Sequence, residues 1–444
     1  MALKLNPFWL AAWLVCGAMS GRSAVPPTEA LTLDQAIEMA VNNNPEVSAV
    51  QWQSVAAAAD VDAVRAQRLP KVSLVGGYSY ATEDQRLYPA TYNSEPGVFG
   101  SGVVDGAVVL KIPLYTGGKI SSEIAASELM KRAAEGDLSR SREIVAFNVT
   151  SLFYSMLAQK EVIASVESAM TAMEEQRRTI QELVSLQKAA RVDALRAEVR
   201  LAELQEKRTK EYNTLTIQQW TLAALLGLED GQDVQLSGSL ELSDPPQCPD
   251  ANLCMKTALR NRNDYDAARQ RRAATGESVK SARSGFLPTL SLESSYGLRW
   301  MSDVQDASAG SDDLEDVGQI GLVAEWPLFS GGGTRAQVRR QAAVQQAALE
   351  RERQLRLQIR TEVETALADI SSATERIDTT KTAVDAARES FRIIQEKYEL
   401  GKGAMVDVLT AQASLIFAET SYARARADLA ISDARRKLAV GGIL

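Results

Sequence analysis

The sequence predicts a mixed α/β membrane protein, a long α-helical coiled-coil barrel joined to a transmembrane β-barrel that several chains build together with four strands each, internally duplicated. Three observations predict it. A heptad run occupies 362–412, a copy of that run lies about 214 residues earlier, and four segments carry an apolar residue at every second position.

The chain opens on an address. Lys4 precedes an apolar run from Phe8 to Val15 and then small residues, the pattern of an export signal and too short to span a bilayer. Ala18 and Ser20 satisfy the small-x-small rule for a signal peptide over 1–20; cleavage after Ala24 would place Arg22 where a small residue is wanted. Leu14-Val15-Cys16 raises a lipid-modified cysteine as an alternative, although Val15 is bulkier than such a site prefers.

The first copy is read over 31–227. Thr32, three places before Gln35, marks a capped helix start, Asn42-Asn43-Asn44-Pro45 interrupts that helix, and a second runs to Gln67 before Leu69-Pro70. The period then becomes two. Val72, Leu74, Gly76, Tyr78 and Tyr80 share one side of a strand over 71–80, and Val104 to Leu114 alternate in a second strand over 104–114. A helix to about Lys188 follows, and a return helix from Val192 to Leu226 closes the copy.

The segment 228–250 is a linker with Gly231, Gly238, Pro245, Pro246 and Pro249. The second copy, 251–441, repeats the order: helix from Leu253 to Arg283, strands over 289–300 and 319–329, a long helix, a turn and a return helix. Pro70 and Pro288 are 218 apart while Pro113 and Pro327 are 214 apart, so the hairpin loop of the second copy is shorter by about four residues.

The long helices carry coiled-coil seams. In the second copy Val363, Ile370, Ile377, Val384, Phe391 and Tyr398 recur every seventh residue, with Ala366, Ala373, Ala387 and Ile394 three places on. In the first, Val149, Met156, Ile163, Met170 and Val184 do the same, interrupted by Arg177. Gly401 and Gly403 suit a tight reversal at a tip over 400–407, and the first tip, 187–193, aligns on it without a gap. Both tips keep Val-Asp-x-Leu, but the first lacks both glycines. Asp193 and Asp407 are candidate caps of the return helices.

Composition narrows the function classes. The chain has no histidine, which removes the commonest general base and metal ligand, and no acid/base or nucleophile constellation is visible, so neither an enzyme, a cofactor nor a metal site is expected. A net charge of −8 argues against a nucleic-acid partner. Cys248 and Cys254, an even pair in an exported chain, suit a short-range disulfide, with two free thiols as the alternative. Gly331-Gly332-Gly333 lacks the Lys-Ser/Thr that a phosphate loop needs. The acidic loop holding Asp303, Asp306, Asp312, Asp313, Glu315 and Asp316 is read as solvated rather than as a cation site.

Strands of about ten residues match what a tilted strand needs to cross a bilayer, yet four strands close no barrel, and open edges do not face lipid. Several chains must therefore contribute strands to one barrel.

Leu69-Pro-Lys-Val-Ser-Leu74 and Leu287-Pro-Thr-Leu-Ser-Leu292, the strand ends Pro113-Leu-Tyr-Thr-Gly-Gly118 and Pro327-Leu-Phe-Ser-Gly-Gly332, and the two Val-Asp-x-Leu tips resemble, in their doubled order, the TolC family of bacterial outer-membrane efflux proteins. That resemblance covers nearly all of the mature chain. It implies a homotrimer in the cell outer membrane, with a twelve-stranded barrel continued by a helical barrel through the periplasm. It further implies a periplasmic adaptor (a membrane fusion protein) and an inner-membrane pump as partners, and passive export of drugs or metals as the function. A type I protein-secretion channel is the alternative within the same architecture, and a periplasmic coiled-coil adaptor the alternative of another class. By the same resemblance Tyr398, Gly401, Gly403, Asp407 and Asp193 belong to the gate and Lys188 and Lys402 to adaptor contact. Gly403 stands where some members carry an Arg, and Thr410 where they carry a second Asp, so the ion pairs that hold those members closed lack two of their groups here.

Overall fold

The computed structural model describes residues 30–86, 99–229, 234–240, 251–304 and 315–442. The expected leader, Cys16, Cys248 and most of the acidic loop lie outside them, and with Cys248 goes the expected Cys248–Cys254 pairing. Cys254 itself is buried on α5 (Ala251–Asn261).

Local chemistry sets each helix start. At α1 (Leu33–Asn43) the Thr32 hydroxyl accepts from the Gln35 N–H, and the Gln35 side chain accepts from the Thr32 N–H at 3.0 Å. Asn44 then separates α1 from α2 (Pro45–Ala66): its Oδ1 accepts from the Glu46 N–H at 2.8 Å and its amide donates to the Leu225 carbonyl at 2.9 Å. One residue thus starts a helix and ties the corner to the end of α4 (Arg191–Leu225).

Between them lie β1 (Lys71–Arg86), β2 (Phe99–Tyr115) and α3 (Lys119–Ser185). The second copy supplies α6 (Asn263–Arg283), β3 (Thr289–Val304), β4 (Glu315–Glu325), α7 (Gly333–Glu399) and α8 (Met405–Val440). The two long helices have 67 residues each, on the order of 100 Å. Among the described residues no helix is long and apolar enough to cross a membrane.

The four strands form one antiparallel sheet in the order β1-β2-β3-β4. β1 runs to Arg86, β2 starts at Phe99 and β3 ends at Val304, all beyond the segments read from alternation, because ladder hydrogen bonds do not require apolar side chains. The expected strand over 319–329 is displaced: β4 begins at Glu315 and ends at Glu325. The Trp326 indole N–H donates to the Phe286 carbonyl at 3.1 Å, which draws the chain off the ladder, and Pro327 has no N–H with which to continue it.

Below the sheet α3 packs against α2 and α6, and farther along against α4 and α8; α7 packs against α6 and α8. The lower seam joins Val166, Met170, Met173 and Ile180 of α3 to Leu204, Met405, Val408 and Ile416, so both halves share one apolar core.

The helix expected from Leu253 to Arg283 is two helices broken at Arg262. Arg262 is 2% exposed. It donates to both oxygens of Asp264, at 2.6 and 3.0 Å, to Glu362 and to the Ala439 carbonyl. Arg140 joins this network, donating to Glu143 and to the Leu438 carbonyl at 3.0 Å each. Burial alone would raise the Asp264 carboxyl, but hydrogen bonds from Arg262, the charges of Arg262 and Arg140, and the Tyr265 N–H hold it below the ordinary carboxylate value.

Candidate functional site: the helical tip and the pore

The two helical tips share one backbone design. In the first, the Gln187 N–H bonds to the Val184 carbonyl and the Lys188 N–H to the Leu183 carbonyl; in the second, Gly401 bonds to Tyr398 and Lys402 to Lys397, each pair with the long bond at 2.8 Å. This is a paired helix-terminating turn whose corner residue is left-handed. Gly401 takes that conformation at φ 68°, and Gln187 takes it at φ 55°, the one non-glycine to do so among the described residues. A Cβ on Gly403 would lie 3.0 Å from the Tyr398 nitrogen, so a side chain there would require the second tip to open by a few tenths of an ångström.

Gln187 was not singled out by sequence pattern, although its alignment with Gly401 carried the information. A side chain in the left-handed region costs roughly 1–2 kcal/mol, partly offset by the greater unfolded freedom of glycine. Gln187→Gly is therefore expected to stabilise the first tip by about 1 kcal/mol or less, read as slower amide hydrogen exchange over 186–190. Unchanged or faster exchange would mean that the corner carries no strain.

The return helices start without side-chain caps. Ala190 and Ala404 occupy the cap positions, and Asp193 and Asp407 sit at the third helical position, so the expected capping by these two aspartates is corrected. Extended backbone at the two alanines begins each helix three residues before the acid. The carboxylates remain in the first turn, where the helix dipole favours negative charge. Asp193 pairs with Arg196 at 3.5 Å. Asp407 is exposed and makes no ion pair among the described residues.

Tyr398 is half-buried against the lower seam. Burial pushes its phenol above the ordinary value, and the charge of the Asp193 carboxylate of the first tip adds to the shift. Lys188 and Lys402 are exposed beyond the corners. Sequence reading missed the groove of about 510 Å³ between the return helices, with Val192, Leu195, Val199, Val406 and Leu409 among its apolar walls and Arg196, Arg200 and Glu203 beside them.

At the opposite end the sheet has two unlike faces. Leu74, Tyr78, Tyr296, Ile320 and Leu322 project from one side with more than half their surfaces exposed. On the other, Lys111 of β2 meets Glu293 of β3 at 2.6 Å. Apolar outside and ionic inside is the arrangement of a barrel wall between lipid and a wet pore.

The family model described as "Outer membrane efflux protein" matches residues 36–228 and 254–442, one match for each copy. The chain belongs to that family. This outer membrane efflux protein is 22% identical over 433 residues to the outer membrane protein TolC of Escherichia coli strain K12, covering 96% of this chain and 84% of that one. It is 24% identical over 402 residues to the proteases secretion protein PrtF of Dickeya chrysanthemi, covering 89% and 84%. The crystal structure of the outer membrane protein VceC from Vibrio cholerae superposes with a TM-score of 0.75 at 19% identity, over 93% of this chain and 97% of that one. The efflux protein thus lies in the outer membrane, its four strands contributing to a β-barrel shared between chains and its helical barrel projecting into the periplasm.

Proposed function

We propose that this protein is the outer-membrane channel of a tripartite efflux system. It is a homotrimeric passive conduit that carries small molecules, drugs or metals, from an inner-membrane pump and a periplasmic adaptor to the exterior. The observation that carries this reading is the unlike pair of faces on a sheet with two open edges: lipid contact on one side, charge on the other, and closure available only through further chains.

The gate is the helical tip. Tyr398, Gly401 and Gly403 shape the second corner, the charge of Asp193 acts on the Tyr398 phenol, and Lys188 and Lys402 are the exposed cations that meet the adaptor. A ring of Asp407 carboxylates at the narrow end holds the pore negative and favours cations. A protein-secretion channel is the second reading, supported by the name of the relative PrtF.

The native mass of protein extracted in mild detergent, corrected for bound detergent, is expected to equal about three chains. In planar bilayers the parent is expected to prefer cations, and Asp407→Ala to lose most of that preference with the open-channel conductance retained. A single-chain mass would remove the shared barrel. An unchanged ion preference would take Asp407 out of the narrow end.

A further inference from the structure

The inner wall of the barrel is not uniformly polar. One cross-strand row on the face that carries Lys111 and Glu293 is apolar throughout: Val75 of β1 lies opposite Ala107 of β2, Ala107 opposite Gly297 of β3, and Gly297 opposite Val317 of β4. Val75 is 50% exposed and Val317 is 40% exposed. Single exposed valines need no cause, but a row unbroken across four strands of a wet wall forms an apolar patch.

The patch has a floor and two walls. A Cβ on Gly297 would stand 2.3 Å from the Gly106 carbonyl oxygen and 2.5 Å from the Ala107 Cα, so β2 approaches β3 too closely there for a side chain. Ala107 and Gly297 thus keep the middle of the row low, between valines three strand spacings apart, about 14 Å. The next row of the same face, about 7 Å along the strands, brings Gly77, Asp105, Arg299 and Glu315 into register. Asp105 stands opposite Arg299 and makes no ion pair with it. Its carboxylate turns the other way, onto Gly77, where a Cβ would lie 3.4 Å from the Asp105 Oδ1. A carboxylate with no cation bound to it therefore stands at the rim of the recess, on the Val75 side.

We propose that this recess is a binding step for cargo inside the barrel, and that it takes small organic cations with an apolar body. The apolar part lies on Ala107 and Gly297 between the two valines, and the cationic head reaches the Asp105 carboxylate at the rim. An organic anion would have to reach Arg299 past the acids at 105 and 315, which flank it in register. The same sign of charge is favoured at the Asp407 tip, so the two ends of the conduit select alike.

This inference rests on the channel reading and adds a cargo class and the residues that hold it. Single channels of the full exported chain are recorded in planar bilayers with three probes added on the barrel side. Benzyltrimethylammonium has both features, tetramethylammonium lacks the apolar body, and benzenesulfonate reverses the charge. Half-covering a phenyl ring is worth about tenfold in affinity, so benzyltrimethylammonium should interrupt the current at about tenfold lower concentration than either of the others. Val75→Thr with Val317→Thr keeps the shape of the walls but makes them polar, and should bring its block down to that of tetramethylammonium. Asp105→Asn should bring it level with benzenesulfonate. Val75→Leu enlarges the apolar wall and should strengthen the block, an effect that misfolding does not imitate. Equal block by the two cations in the parent, stronger block by benzenesulfonate, or a block that none of these variants changes overturns the recess and leaves the channel reading standing. A single-chain native mass, or no channel current from the parent, overturns that reading itself.

Discussion

Arg262→Ala is expected to cost the folded chain about 3 kcal/mol, because it empties a buried site and leaves the half-buried Asp264 and Glu362 carboxylates without their shared cation. It also removes the donor to the Ala439 carbonyl, at the end of α8, and with it the bond between the α5–α6 corner and the return helix. Arg262→Lys should cost less, since it keeps the charge but loses the two-pronged bond to Asp264. Thermal unfolding of the purified protein and its yield in outer membranes read both effects. A change within about 0.5 kcal/mol for Arg262→Ala would show that water replaces the guanidinium and that the network is not integral to folding.

The pH dependence follows with its sign. The Asp264 carboxyl is held below its ordinary value in the folded chain, so its contribution to stability is fully present above the unfolded pKa. That contribution is lost as pH falls through the folded value. The parent should therefore lose stability through the acid range, and the Arg262→Ala variant should lose less of it there, because Arg262 makes the largest of the interactions that depress the carboxyl.

Ile320→Arg is the second large effect. Ile320 lies near the middle of β4, opposite Ser294 of β3, and its side chain is 75% exposed on the apolar face. A guanidinium facing hydrocarbon near the bilayer midplane costs about 2–4 kcal/mol, falling toward zero at the interfaces. Gln319→Arg, one residue away on the opposite face, should be tolerated because that side meets the wet pore. Folding titrations into lipid vesicles compare the two, and equal costs would mean that the two faces of the sheet do not separate lipid from water.

Much of the architecture was legible in the sequence because its two periods differ so sharply. The heptads of 363–398 and the alternation of 72–80 cannot be confused, and the doubled order supplied an internal check that a single copy would lack. The break at Arg262 was not legible by pattern. The first copy announces it with Asn44-Pro45, a cap followed by a helix-starting proline, whereas the second does the same work with an arginine, a residue that favours helix interiors. Aligning the copies by the prolines at 70 and 288 places Arg262 on Asn44 and would have exposed it. At the tips the aspartates were legible as a motif but not as uncapped third positions, since a cap and a first-turn acid have the same sequence signature.

The unequal corners at Gln187 and Gly401 have a geometric meaning. Duplication produced two hairpins of one shape, which in a ring of several chains would make neighbouring hairpins interchangeable. A relaxed corner in one and a strained corner in the other halves that symmetry. A ring of such chains therefore presents two kinds of corner in strict alternation around its periplasmic rim.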